Sequence, residues 1–305
     1  MSFHSALLAI IFCLMAVSSV PAQSQTPKVD LTKQDKVLTA KDGWQIYATY
    51  YPSDKGENAP VVILLHAKGS SRQVWQNGFA ERLQKLGYAA VTVDLRKHGQ
   101  STTPPGGGTA QSSNDLKPND YSAMVAFDLE AVKNFLLEEH QKKNLNIRKL
   151  AIIAPEMSAP LAMNYTALDW LKRPYPDASS LAARTPRGQD VRALVLISPE
   201  SSLPRFSTGR ATQQLKNPVW NIAIFLGAGS KDSEGAAQVN KLYKQVAAFG
   251  KNDQRMYKQL PNSKDRGTDL IFKERKFMGL ILAFLEKHLK GLDDAWMDRR
   301  SRLER

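Results

Sequence analysis

Strands and helices alternate along most of the chain. This predicts a single α/β domain, with a mostly parallel central sheet and helices on both faces. Three observations carry the prediction. VVILL (61–65), AAVTV (89–93), LAII (150–153), ALVLI (193–197) and IAIFL (222–226) are continuous apolar runs, the mark of strands buried on both faces. Between them lie segments with apolar residues at three- and four-residue spacing, as in amphipathic helices. The connections leave no room for a second domain.

The elements follow in order. ALLAIIFCLMAV near the N-terminus is uncharged and apolar, and SSVPAQSQ after it places Val20 and Ala22 as small cleavage-site residues. The expectation is a secretion signal over 1–22, hence an exported protein, with a polar lead-in over 23–34. The apolar core is too short to cross a bilayer, so no membrane span is expected after cleavage. The single cysteine, Cys13, would leave with the signal, so neither a disulfide nor a thiolate site is expected.

KVLTAKDGWQIYATYYP reads as two strands joined at Asp42-Gly43, a hairpin dipeptide. The strand at 61–65 is followed by a helix over 72–87, a strand at 89–93 and a Pro/Gly/Ser-rich loop over 101–120. A helix over 121–143, a strand over 148–155 and a helix over 156–172 come next, Pro160 sitting near the start of the last, where proline is tolerated. After a loop to 190 come strands over 191–199 and 219–229, a helix over 234–250, a strand over 253–260 and a closing helix over 270–290. The single domain thus occupies 35–290, and 291–305 reads as a charged C-terminal tail.

The 42 Lys and Arg against 29 Asp and Glu give a net charge of +13. Such an excess favours acidic partners. The basic residues are spread along the chain with no run interleaved with aromatics, so no specific nucleic-acid binding is expected. Candidate partners are a small molecule, a peptide or an acidic polymer. No His, Cys, Asp or Glu cluster has metal-ligand spacing, so neither a metal nor another cofactor is expected.

Open α/β sheets place their chemistry at the carboxyl ends of the strands. Five segments found there resemble, in order, those of the α/β-hydrolase family, in its esterase, lipase and serine-aminopeptidase-like branch. LLHAKGSS is similar to the oxyanion-loop segment, and VDLRKHGQS to the DLRGHGxS segment. AIIAPEMSAPLA is similar to the nucleophile elbow, FLGAGSKD to the strand end bearing the catalytic acid, and NSKDRGTDL to the segment bearing the catalytic histidine. The resemblance spans about residues 36 to 290 and implies an α/β-hydrolase fold.

It also implies where a triad would sit: nucleophile at Glu156, acid at Asp232, histidine at Arg266. Only the acid matches. The oxyanion-loop equivalents are His66, Ala67, Lys68 and Met157, with Ala67 where the family usually has glycine. Arginine stays protonated and cannot serve as the base. Losing a triad serine or histidine costs about 10⁶-fold in a well-studied case. The expectation is therefore an exported α/β-hydrolase-fold protein without triad catalysis, serving as a binding or structural module. A Glu156–Arg266–Asp232 ion network would plug the former site, and removing Arg266 would cost ~3–5 kcal/mol. The alternative is an active ester or amide hydrolase centred on Glu156. A third reading, a basic module for acidic cell-envelope polymer, rests on the charge alone. Ser158 has poor elbow neighbours, and His66 and His98 read as structural. His140 and His288, on amphipathic helices, read as surface residues.

Overall fold

A computed structural model describes residues 30–76, 78–200, 202–248 and 253–305. The expected signal over 1–22 and most of the lead-in lie outside them. Among the described residues no helix is long and apolar enough to cross a membrane.

The eight strands are β1 (Gln34–Thr39), β2 (Gln45–Tyr51), β3 (Val61–Leu64), β4 (Ala89–Val93), β5 (Leu150–Pro155), β6 (Val191–Ile197), β7 (Ala223–Gly227) and β8 (Met256–Gln259). They form one sheet in the order β1-β2-β4-β3-β5-β6-β7-β8. β2 runs antiparallel to both neighbours, and β4 through β8 are mutually parallel. The helices are α1 (Phe79–Lys85), α2 (Pro118–Ala123), α3 (Leu129–Gln141), α4 (Ser158–Trp170), α5 (Gly209–Leu215), α6 (Ser233–Val246), α7 (Gly267–Lys273) and α8 (Arg275–Leu285).

The apolar strand runs are explained by two cores. Val61 and Ile63 of β3 point into one, with residues of α3, α4, α5 and α6. Val62 and Leu64 point into the other, with α1, α7 and α8. With period-two alternation, a strand sandwiched between helices needs apolar residues at every position.

Local departures from the sequence reading have local causes. The helix expected over 72–87 is a 3₁₀ turn (Arg72–Gln76) and then α1, whose N-cap is Gly78 at φ 96°. The helix over 121–143 starts earlier, at Pro118, and carries a π turn at Met124–Asp128 between α2 and α3. The closing helix is broken at Glu274, which leaves helical backbone (φ −102°, ψ 85°), and α8 runs on through a π turn at Glu286–Lys290. α6 ends at Val246 rather than at Gly250, which lies outside the described residues. α5 was not expected. It is short and polar, with only Ala211 and Leu215 buried.

His140 is not a surface residue. It is fully buried, its Nε2 lies 2.8 Å from the Met297 carbonyl, and its own carbonyl accepts the Trp296 indole N–H. His288 is half-buried against the Tyr257 hydroxyl. The residues that bury His140 belong to the 291–305 segment, which lies against the domain. Asp294 pairs with Arg148 and Arg192, and Arg299 reaches Asp190 and the Gly188 carbonyl.

Candidate functional site

β5 is the central strand of the parallel set, buried along its whole length, and it delivers Glu156 at its carboxyl end. Glu156 has φ 47°, the left-handed region that side chains other than glycine rarely enter. The turn is held there by backbone bonds. The Glu156 N–H donates to the Ile197 carbonyl (2.8 Å), and its carbonyl accepts from Ala159 (3.0 Å) as α4 begins. This is a sharp strand–turn–helix elbow with its tip residue pushed out.

The carboxylate lies over Gly267, where any Cβ would collide with it; Gly267 itself has φ +50°. The Gly267 N–H donates to Ser198 Oγ at the end of β6 (3.1 Å), which fixes the start of α7 against the elbow.

Asp232 follows β7 and caps α6, accepting from the Gly235 N–H at 3.2 Å. Its side chain is buried, and its second oxygen has no hydrogen-bond partner among the described residues. Arg266 follows β8 and occupies the N-cap position of α7. Its Nη1 is 3.3 Å from Asp232 Oδ1 and 3.2 Å from Glu234 Oε2, whereas its Nε is 4.0 Å from Glu156 Oε2. The structure thus brings Glu156, Asp232 and Arg266 together, but not as an even network. The guanidinium leans on Asp232 and Glu234, and Glu156 sits at the outer limit of ion pairing. Arg266 Nε itself has no hydrogen-bond partner among the described residues.

Glu234 and Glu200 are site residues that the sequence reading passed over. Glu234 lies in the first turn of α6. Glu200 follows β6, and its N–H approaches the Glu156 carbonyl at 3.4 Å. Burial raises the pKa of Glu156. Arg266 opposes that shift, while Asp232, Asp269 and Glu234 add to it. Glu200 is raised too, by burial and then by Glu156. Although burial works against it, the carboxylates of Glu234, Asp232 and Glu156 hold the Arg266 guanidinium above its ordinary pKa. Several carboxylates thus share one cation that cannot lose its proton.

The loop after β3 faces the elbow. His66 is buried, and both of its nitrogens are used. Nδ1 lies 2.8 Å from the Ala67 carbonyl, and Nε2 accepts the Leu95 N–H at 3.1 Å. These bonds suit one neutral tautomer. Burial, together with the His98 ring 4.7 Å away, lowers its pKa to about 4. Ser158 Oγ donates to the His66 carbonyl, so the serine nearest the elbow ties α4 to this loop. His98 Nδ1 lies 2.9 Å from the Arg96 carbonyl. The N–H groups of Lys68 and Met157 have no acceptor among the described residues. Nor, among those residues, are three or more His, Cys, Asp or Glu placed to hold a metal ion.

Comparison with known proteins bears on the same region. A family model described as the alpha/beta hydrolase fold matches residues 60–221. No curated protein matches the sequence. Among solved structures, the esterase Pf2001 of Pyrococcus furiosus superposes with a TM-score of 0.59 at 18% identity, covering 85% of this chain and 92% of its own. The dienelactone hydrolase of Anabaena variabilis gives 0.54 at 15% identity, over 84% and 98%. The esterase EaEST of Exiguobacterium antarcticum gives 0.51 at 14%, over 83% and 100%. At such identities the likeness is one of fold.

Proposed function

Because the chain belongs to the α/β hydrolase fold family, with Glu156 at the elbow tip and Arg266 beside Asp232, we propose that it is an exported member without triad catalysis that acts as a binding or structural module. The observation that carries this reading is the guanidinium beside Asp232. In a working triad the acid orients a histidine whose other nitrogen takes the nucleophile's proton. Here the acid's partner is a cation with no basic lone pair, and among the described residues no histidine hydrogen-bonds the Glu156 carboxylate. Export is supported by the apolar run and small-residue pattern over 1–22.

One observation favours a second reading, a hydrolase using Glu156. Glu156 is a carboxylate whose pKa is raised, and the N–H groups of Lys68 and Met157, on the facing loop and the elbow, have no acceptor among the described residues, so a base and candidate oxyanion donors are both present. Rebuilding the triad tests both readings. The proposed reading expects the natural chain to turn over short-chain p-nitrophenyl esters at the buffer rate and to resist phosphonate labelling. The double substitution Glu156→Ser with Arg266→His should gain both activities. Turnover by the natural chain that Glu156→Gln abolishes would overturn the first reading in favour of the second.

A further inference from the structure

Outside the strand ends, the described surface holds a groove of about 540 Å³ between α5 and α6. Its rim carries Lys216, Lys241 and Lys244, with no acidic residue among the described residues of its lining. None of the three lysines forms an ion pair among the described residues, although most other charged clusters of this protein are internally matched. The segment from 202 to 260 has nine Lys and Arg against three Asp and Glu. Two of those acids, Asp232 and Glu234, are engaged by Arg266, and the third, Asp253, by Arg255.

The floor supplies a second, independent observation. Gln238 lines the groove and is only 8% exposed, yet its side-chain amide makes no hydrogen bond among the described residues. The amide itself is not sealed from solvent, so it is open to a partner that enters the groove. Its remaining exposure is to the groove, where a ligand can supply both an acceptor and a donor. The Thr208 and Thr212 side chains add hydroxyls beside it.

We propose that this groove binds an anionic oligosaccharide: a hydroxyl-bearing chain with repeated carboxylates. The lysines meet the charges at the rim, and Gln238 and the threonines meet the hydroxyls on the floor. Among the described residues the lining has no aromatic ring on which a base could stack, which disfavours single-stranded nucleic acid. A volume in the range of ordinary ligand pockets suits a few sugar units. Gln238 lies six residues beyond Asp232 along α6, about 9 Å at helical rise, and the groove continues away from the strand ends. This site is therefore separate from the elbow.

The test is calorimetric titration of the full chain with four probes: a galacturonate oligomer, a neutral malto-oligosaccharide of equal length, polyphosphate and a single-stranded oligonucleotide. The galacturonate oligomer should bind at least tenfold more tightly than each of the others. Lys241→Gln with Lys244→Gln should weaken it at least tenfold and flatten its salt dependence. Gln238→Leu should weaken it severalfold with the salt dependence retained. Lys85→Gln with Lys276→Gln, an equal loss of charge on the opposite helical layer, should leave it unchanged. Absence of galacturonate binding, equal or tighter binding of polyphosphate or the oligonucleotide, equal binding of the neutral sugar, or an equal loss in the Lys85/Lys276 variant would each overturn the proposal.

Discussion

Glu156 is held in a backbone conformation that costs an ordinary residue about 1–2 kcal/mol. Its carboxylate faces more like charges than opposite ones, and Arg266 sets how much of that is offset. A removal cost for Arg266 of ~3–5 kcal/mol presumes full burial, but its side chain is 35% exposed and Glu234's 57%. Solvent screening brings the expectation for Arg266→Ala down to about 1–2 kcal/mol, read from the urea midpoint. An unchanged midpoint would mean that the carboxylates find their own counter-ions. His66 makes a second prediction. It is bound in its neutral form, with a pKa of about 4 in the folded protein against 6.5 unfolded. Its contribution is complete above pH 6.5 and is lost as pH falls through the folded value, in total roughly 3 kcal/mol. Melting temperature should fall between pH 6.5 and 4, and His66→Gln should flatten that part of the profile. A parallel decline in both proteins would assign the loss elsewhere.

At the scale of elements, the π turn between α2 and α3 lies where Asp128 reaches the turn after β4. Its carboxylate accepts from the Arg96 backbone N–H (2.9 Å) and pairs with the Arg96 guanidinium (2.6 Å), which Asp42 also holds. Helix, strand end and first hairpin therefore meet at one buried ion cluster. Asp128→Ala leaves Arg96 with only the partly exposed Asp42, and should cost about 3 kcal/mol in equilibrium unfolding. A loss below ~1 kcal/mol would show that Asp42 suffices. Nothing of this pairing can be read from Asp128 or Arg96 in isolation. Strands were legible because burial on both faces forces unbroken apolar runs, as at 61–65 and 150–153. Glu156 and Arg266 were legible because the segments that hold them, AIIAPEMSAPLA and NSKDRGTDL, resemble motifs of a known family. α5 was not, because its two buried residues make no detectable stripe. The break at Glu274 sits inside a helical pattern with no proline or glycine to mark it. Burial of His140 depends on Met297, which is remote in sequence, and the lysines of the α5–α6 groove come from two separate helices.

At the scale of the whole molecule, the 291–305 segment completes a buried charge quartet. Lys133 contacts Asp169 and Asp190 (2.8 Å to the latter), and Arg299 reaches Asp190 from the other side at 2.7 Å. Two cations and two anions cancel in a region closed to water. Arg299→Ala would leave an unmatched negative charge there, at a cost of roughly 3 kcal/mol. Thermal unfolding of that variant checks this, and a shift no larger than that of an exposed substitution such as Arg300→Ala would refute it.

α6 carries a polarity of its own. Asp232 and Glu234 stand at its N-terminus, Lys241 and Lys244 toward its C-terminus, each end opposite in sign to the partial charge of the helix backbone it neighbours. The side chains thus form a charge axis that runs from the elbow to the groove. Near a negatively charged wall, within about 8 Å at physiological ionic strength, a body with such an axis feels a torque before it feels a contact. On this helix the lysine end, not the elbow end where Arg266 already engages both carboxylates, is the one such a wall attracts.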